Sequence, residues 1–299
     1  MISSMPKNQL PISVVIATLG GDVLKSTIAN LNQGEAFPAE ILICIPEHYK
    51  FKADCVSTIK NLQVIITSCF GQVSQRAVGL SMASQPFVLQ LDDDVILPPD
   101  TLNVLYHTLL IKGPGNIVAP FFRLQPDGSD GTIYVRGLRG LLLDCYFSVI
   151  CGAKFGRQRM GTICSAGIGF GTVMSIDNVT TVQSEWLPGG VALCHKNDLI
   201  TCDYYPFPGK AFSEDLIHSI LWQNNGCHLW TVLRVSALID IAYETFDFKS
   251  IFARYRAHAY VAKLSYGSVW LTRLWLIFYF IKHFNKIFCQ NSLKNFTHV

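Results

Sequence analysis

Residues 86–99 read PFVLQLDDDVILPP, a short apolar run that ends in three consecutive aspartates. The largely apolar run through Leu91 predicts a short buried strand. That strand stops abruptly at Asp92, Asp93 and Asp94, so three carboxylates are expected to cluster at its end. Ligands of open α/β sheets bind at the carboxyl ends of the strands, and a binding site is therefore expected here.

Strands and helices alternate around this stretch, and turn residues separate them. Such alternation predicts an α/β fold, with a mostly parallel central sheet covered by helices on both faces. Segment 123–171 is irregular and rich in Gly and Arg, which predicts an insertion or lid. The predicted strands are 12–18, 40–45, 62–67, 86–91, 117–119 and 186–193, and the predicted helices are 22–31 with Asp22 as cap, 74–82, one starting at Pro98, and 215–224.

The composition fits a globular core with an unusual charge distribution. Half of the 299 residues are apolar and 15% are charged, which suits one large domain or two small ones. No Asp or Glu follows Phe248, whereas eight Lys or Arg do. We therefore expect a mildly acidic body, residues 1–248, and a basic tail, residues 249–299.

Ten cysteines are scattered without a Cys-x-x-Cys pair, so no zinc ribbon is predicted. Thiols of this kind are typical of small buried residues in a reducing compartment. The first ten residues lack the apolar core of an export signal, so a cytoplasmic location is expected.

The three aspartates favour a metal site over simple capping. Adjacent like charges are costly without a cation, and a hard ion such as Mg²⁺ or Mn²⁺ takes carboxylate oxygens together with substrate phosphates. The alternative is that one Asp caps a turn while the others are solvated. Neither a phosphate-binding G-x-x-x-x-G-K-[ST] loop nor a G-x-G-x-x-G turn occurs, which argues against P-loop, kinase and dinucleotide-binding proteins.

Several segments together resemble the successive motifs of family 2 glycosyltransferases with a GT-A fold, of the kind that assembles bacterial surface polysaccharides. Their order and spacing match over roughly residues 10 to 245, which is more specific than any single aspartate motif. The segments are 12–18, Gln75-Arg76-Ala77-Val78-Gly79, 91–95, Trp186-Leu187-Pro188-Gly189-Gly190 and Phe212-Ser213-Glu214-Asp215-Leu216.

The resemblance implies roles for the donor-side residues. Asp92 and Asp94 would bind the Mg²⁺ or Mn²⁺ ion, and Asp92 would also contact the ribose of a nucleotide-sugar donor. Thr18, Arg76 and Asp93 would complete the donor nucleotide site, although Arg76 could be an ordinary surface residue.

The resemblance also implies the acceptor side and the reaction. Asp215 would be the general base of a single displacement that inverts the anomeric carbon, with Glu214, Trp186, Gly189 and Gly190 beside the acceptor. Capping of a helix explains an acidic pair equally well in isolation, and Trp186 could be a core residue beside a turn.

Two positions depart from the family pattern. Ile45-Pro46, followed by Glu47, stands where members carry an acidic residue that reads the nucleobase. Asp240 stands near the position of a metal-binding His, so the third protein ligand is either Asp240 or missing.

The tail predicts an amphipathic helix on a membrane surface. Twelve of its 51 residues are aromatic, and its densest apolar run, 274–281, is too short to span a bilayer. Cations and aromatic residues suit the anionic inner face of a bacterial-type membrane, where a lipid-linked saccharide acceptor would be available. A helix packed on the catalytic domain or on a second subunit is the alternative, and the acidic body argues against nucleic acid.

Two other functions compete with sugar transfer. A sugar-phosphate nucleotidyltransferase also uses a doubly wound sheet with a metal, but Thr18-Leu19-Gly20-Gly21-Asp22 is a poor version of its Gly-rich basic loop. A catalytically silent, membrane-associated scaffold could keep the same fold.

Overall fold

The computed structural model describes residues 8–34, 36–124, 129–130, 137–172, 179–239 and 247–296, and one sheet organises them. Its strands are β1 Asn8–Ala17, β2 Ala36–Pro46, β3 Leu62–Thr67, β4 Phe87–Asp92, β5 Val95–Ile96, β6 Asn116–Leu124, β7 Ser129–Asp130, β8 Thr181–Ser184, β9 Val191–His195 and β10 His228–Ile239. The helices are α1 Asp22–Gln33, α2 Gln72–Met82, α3 Thr101–Lys112, α4 Gly137–Cys151, α5 Glu214–Asn224, α6 Phe248–Leu264 and α7 Val269–Phe296.

The strand order is β3-β2-β1-β4-β9-β6-β10-β5, with β7 beside β6 and β8 beside β10. Pairing is parallel from β3 to β4 and again between β6 and β10, whereas β9 runs antiparallel to both β4 and β6. Ala17 pairs with Asp92, so the carboxyl ends of β1 and β4 lie side by side. The predicted α/β architecture is confirmed.

Helices cover both faces of the sheet because its central strands are apolar on both sides. On β1, Ile12 and Ile16 belong to the core beneath α1 and α3, while Val15 belongs to the core beneath α2. Each of these side chains is fully buried, which stabilises the fold by about 1.5–3 kcal/mol per large aliphatic residue. The sheet is therefore a rigid base for the loops at its carboxyl edge.

Three local predictions differ from the structure. Asp22 is the first helical residue of α1 rather than its cap, and Gly21 before it makes no side-chain capping bond. Helix α3 begins at Thr101, after the Pro98-Pro99 pair, and Asp100 before it makes no side-chain capping bond. The irregular segment 123–171 contains a regular fifteen-residue helix, α4.

The tail forms two helices that pack on the rest of the chain. Val261 of α6 joins Leu216 and Ile220 of α5 in one apolar cluster, and Trp275 of α7 joins Cys151 of α4 in another. This matches the alternative of a helix packed on the catalytic domain, although one face of α7 stays exposed. No helix in the described ranges has both the length and the apolarity needed to cross a membrane.

Candidate active site

The loops after β1 and β4 are tied to each other at the carboxyl edge of the sheet. The Thr18 hydroxyl donates to the Asp93 carboxylate, and the Thr27 hydroxyl donates to the Asp93 carbonyl over 2.6 Å. From α2, the Gln75 amide donates to the Thr18 carbonyl over 3.0 Å. Thr18 and Asp93, both predicted on the donor side, therefore lie together and fix the strand ends.

Arg76 joins the two acidic motifs that the sequence separates by more than one hundred residues. Its guanidinium, carried by α2, contacts Asp92 Oδ1 at 2.8 Å and Glu214 Oε1 at 2.9 Å. Gln72 Nε2 also donates to Asp92 Oδ1 over 2.9 Å, and the Tyr204 hydroxyl donates to Glu214 Oε2 over 2.7 Å. This buried network holds the end of β4 against the start of α5.

The structure places Arg76 in the interior. The residue is 1% exposed, which excludes an ordinary surface arginine, and it lines neither of the cavities described below. The guanidinium lies behind Asp92 and Glu214 and orients their carboxylates.

Burial and charge act in opposite directions on the acids of the network. Burial alone would raise the pKa of Glu214, but Arg76 and the Tyr204 hydroxyl outweigh it and hold that pKa below its usual range. For Asp92 burial dominates, so its pKa is raised despite Arg76. Glu214 therefore stays ionised, and its negative charge acts on the acid that follows it.

That neighbour, Asp215, lies in the wall of the larger cavity. Burial, together with the Glu214 charge, raises the pKa of Asp215 to about 7. A carboxyl with a pKa near neutrality is suited to accept a proton, because it combines basicity with an ionised population at working pH. The residue predicted as general base thus faces the cavity with a raised proton affinity.

The turn into α5 is backbone-strained and is contacted by the tail. Ser213 has a left-handed conformation, with φ at 55°, which is uncommon for a residue other than Gly, Asn or Asp. His258 of α6 places Nδ1 3.4 Å from the Ser213 hydroxyl and 2.9 Å from the Gly167 carbonyl. The tail helix α6 therefore contacts the residue that precedes the acidic pair.

Gly189 and Gly190 lie between the acidic motifs, where a side chain has no room. A Cβ on Gly189 would lie 2.5 Å from Glu214 Oε1, and one on Gly190 would lie 3.3 Å from Asp92 Oδ2. The Gly189 carbonyl accepts from Gln90 Nε2 over 2.6 Å, and the Gly190 carbonyl accepts from the Asp92 amide over 3.0 Å. The two glycines, predicted on the acceptor side, let the backbone approach the carboxylates closely.

Two cavities meet at Asp92 and Asp94. The larger encloses about 580 Å³ and includes Trp186, Gly189, Gly190, Glu214 and Asp215 in its wall. The smaller encloses about 470 Å³ and includes Thr18 and Asp93. The predicted acceptor-side residues therefore line one cavity, Thr18 and Asp93 line the adjoining one, and Asp92 and Asp94 form the border that both cavities share.

Trp186 forms a fixed part of the larger wall. Its indole Nε1 donates to the Phe170 carbonyl over 3.0 Å, and Gly169 packs so closely that a Cβ there would lie 2.8 Å from the ring. A rigid indole at a cavity wall can stack on an apolar sugar face. The ring is partly buried and also lines the cavity, so stacking on an acceptor stays a prediction.

Sequence reasoning missed several cavity residues. Gln72 and Ala211 line both cavities, Phe212 lines the larger one, and Lys210 brings a cation to the smaller one. Gln72 lies one helical turn before Arg76, so the Gln75-Arg76 motif offered a local signal for it. Tyr204, which fixes Glu214, belongs to no recognisable motif.

The carboxylates fit a hard divalent cation only in part. Asp92 Oδ1 is occupied by Arg76 and Gln72, while Asp94 lines both cavities. Within the described parts of the chain, no three His, Cys, Asp or Glu side chains gather as a metal site, and Asp240 lies outside the described residues. Two carboxylates suit Mg²⁺ or Mn²⁺ when water and phosphate complete the shell.

Comparison with known proteins identifies the fold. GalNAc-T7 crystallised with UDP, GalNAc and Mn²⁺ matches with a TM-score of 0.54 and 15% identity over 78% of this chain and 43% of that one. TarS of S. aureus, residues 1–349 in complex with UDP-GlcNAc, matches with a TM-score of 0.52 and 14% identity over 85% of this chain and 66% of that one. No protein-family model and no curated protein sequence matches the chain.

These similarities establish the GT-A fold, which both neighbours share. The chain spans less than two thirds of the length of either neighbour. At this level of identity the likeness extends to the architecture of the sheet and its covering helices, and activity is inferred from the site itself.

Proposed function

We propose that this chain is an inverting glycosyltransferase that moves a sugar from a nucleoside diphosphate sugar to a hydroxyl of an acceptor. The observation that carries the proposal is the pair of cavities that meet at Asp92 and Asp94, with Asp215 facing the larger one. A two-substrate reaction needs two adjoining sites with the reacting atoms at their border. The GT-A fold of the UDP-binding neighbours supports the same assignment.

The smaller cavity is proposed to hold the donor nucleotide. Thr18, Asp93 and Gln72 offer hydrogen-bonding groups, and Lys210 offers a positive charge for phosphate. Asp92 and Asp94 would hold a Mg²⁺ or Mn²⁺ ion, which when bound neutralises charge on a departing diphosphate. Arg76 orients Asp92 for that contact from behind.

Asp215 is proposed to accept the proton of the acceptor hydroxyl. As that oxygen forms its bond to the anomeric carbon, the bond from this carbon to the donor phosphate oxygen breaks, and the nucleoside diphosphate leaves with the electron pair. Glu214 stays ionised on Arg76 and Tyr204, and its charge keeps the proton affinity of Asp215 high. Trp186 would orient the acceptor saccharide by stacking.

The acceptor is proposed to be a lipid-linked saccharide in the synthesis of a surface polysaccharide, reached at the inner face of a membrane. The basic and aromatic tail supports this proposal, since α7 keeps exposed apolar residues beside Arg273 and Lys282. Anionic lipid attracts such cations, and aromatic side chains suit headgroup depth. The family 2 assignment rests on the motif resemblance and is part of the same proposal.

Release of nucleoside diphosphate from a panel of sugar nucleotides tests the proposal. In Mn²⁺ buffer the wild type should release nucleoside diphosphate from at least one donor, and Asp215→Asn should release it on the order of 100-fold more slowly. A nucleotidyltransferase would instead release pyrophosphate when given a nucleoside triphosphate and a sugar phosphate. A silent scaffold would release neither product, and either of these two outcomes would refute the proposal.

A further inference from the structure

Helix α4 presents an exposed apolar stripe that the reaction does not use. Leu138, Leu142, Cys145 and Val149 recur at the spacing of one helix face, and Leu138 and Leu142 are 73% and 63% exposed. The opposite face of α4 packs inward through Phe147. A run of uncovered large aliphatic residues on one helix face indicates an interaction surface.

Helix α7 presents a matching stripe. Trp270, Ile277, Ile281 and Phe284 are exposed and share one face, with Ile281 67% exposed. The other face is covered, since Trp275 lies in the apolar cluster shared with α4. Both helices therefore have one apolar face in the core and a second apolar face outward.

The two stripes lie side by side. The Tyr146 ring of α4 meets the Phe278 ring of α7 edge to face, with centroids 5.9 Å apart. We use the name docking face for the exposed residues Leu138, Leu141, Leu142, Cys145, Val149, Trp270, Ile277, Phe278, Ile281 and Phe284. Two parallel stripes make a broad apolar surface, larger than one interfacial helix provides.

The charges around the docking face are positive. Arg139, Arg273 and Lys282 are exposed on the same two helices. The sequences of α4 and α7 contain one acid, Asp144, and it pairs with Arg159 on the inner side of α4. The surface is thus apolar with a cationic border, which complements anionic lipid headgroups.

We propose that α4 and α7 together dock this protein on an anionic membrane surface. This inference rests on the membrane association proposed for the tail and extends it to a helix of the catalytic domain. A second copy of the chain fits less well as occupant, because a self-complementary contact would bring the arginines of both copies together. Anionic lipid covers the apolar residues and pairs with the cations at once.

The inner side of α4 lies next to the wall of the larger cavity. Phe147, on that side, contacts Phe170 with ring centroids 5.1 Å apart. Gly169 and Gly171, on either side of Phe170, line the larger cavity. A membrane at the docking face would therefore be separated from the proposed acceptor site by α4 and the ring pair beneath it, about the thickness of one helix, which suits an acceptor with a lipid anchor.

Vesicle sedimentation tests the docking face without any donor, so its result is independent of the reaction. The wild type should bind vesicles of phosphatidylcholine mixed with phosphatidylglycerol and should be released by high salt, while vesicles of phosphatidylcholine alone bind it weakly. Leu142→Glu should reduce partitioning into the mixed vesicles by about tenfold or more, because it removes apolar contact and adds repulsion. Ile277→Glu, on α7, should also reduce partitioning into the mixed vesicles.

Ile111→Glu is the matched control. Ile111 is 85% exposed on α3, outside the docking face, so the same change there should leave partitioning at the wild-type level. Thermal melts check that each variant stays folded. Wild-type partitioning by folded Leu142→Glu would overturn the proposal, as would a wild-type dimer in sedimentation velocity that Leu142→Glu separates. Leu142→Glu should keep wild-type turnover of the donor in solution. A negative result in the vesicle assay would therefore refute the docking face without refuting the proposed sugar transfer.

Discussion

Asp215→Asn should lower activity and raise stability at once, because the carboxylate is held at an energetic cost. Its pKa is about 7 in the folded chain, against 3.8 for an unperturbed Asp. The folded state thus binds this proton more tightly than the unfolded state, and stability falls as pH rises from about 4 to about 7. At about 1.4 kcal/mol per pKa unit the shift amounts to roughly 4 kcal/mol, which screening by the open cavity reduces to about 2 kcal/mol.

Thermal melts of the wild type and Asp215→Asn, without divalent cations, measure this difference. The variant should melt a few degrees above the wild type at pH about 8, and the gap should shrink toward pH about 4. In turnover assays kcat should fall on the order of 100-fold or more. Asp100→Asn, at an exposed carboxylate before α3, is the control and should change neither quantity. A gap that stays constant with pH would refute the buried-charge argument, and unchanged kcat would refute the role of base.

Three further substitutions probe the groups around the acids. Arg76→Met leaves Asp92 and Glu214 without their shared cation and should lower the free energy of unfolding by about 3–5 kcal/mol, measured by urea denaturation. A decrease below about 1 kcal/mol would show that the ion-pair network does not stabilise the fold. Gly189→Ala places a methyl group 2.5 Å from Glu214 Oε1 and should reduce kcat more than about tenfold in a protein that still melts cooperatively. A wild-type kcat would show that the reaction continues even when the acidic side chains are displaced. His258→Ala should lower kcat with little change in the KM for donor. His258→Asn should recover part of this loss in kcat, because it restores a hydrogen bond to Gly167. Equal losses of kcat in both variants would indicate that His258 acts only through packing.

The local sequence pattern was sufficient to predict the parallel half of the sheet and the acidic end of β4. Strand β4 is apolar as far as Leu91, ends at Asp92 and is followed by Asp93 and Asp94, so both its burial and the cluster of carboxylates are visible in one short stretch. The start of α5 was equally clear, because Glu214 and Asp215 follow a loop containing Gly209. In both segments, adjacent residues are enough to indicate the element and its acidic side chains.

Contacts between distant segments could not be read from the sequence. Arg76 and Glu214 are 138 positions apart, and nothing local to either indicates their ion pair. Helix α4 was missed because its sequence is apolar on both faces, so it lacks the polar side that marks a surface helix. Its true environment depends on Trp275 of α7, which lies far along the chain.

The proposed function requires that the carboxylates at the border of the two cavities hold a cation and a diphosphate together. The decisive measurement is a calorimetric titration of the wild type and Asp94→Asn with a panel of nucleoside diphosphates (UDP, GDP, ADP and dTDP), with Mn²⁺ and again with a chelator. The wild type should bind at least one of them only with Mn²⁺ present, and Asp94→Asn should lose most of that affinity while keeping its fold. Equal binding with and without Mn²⁺, or no binding by the wild type under either condition, would contradict the account.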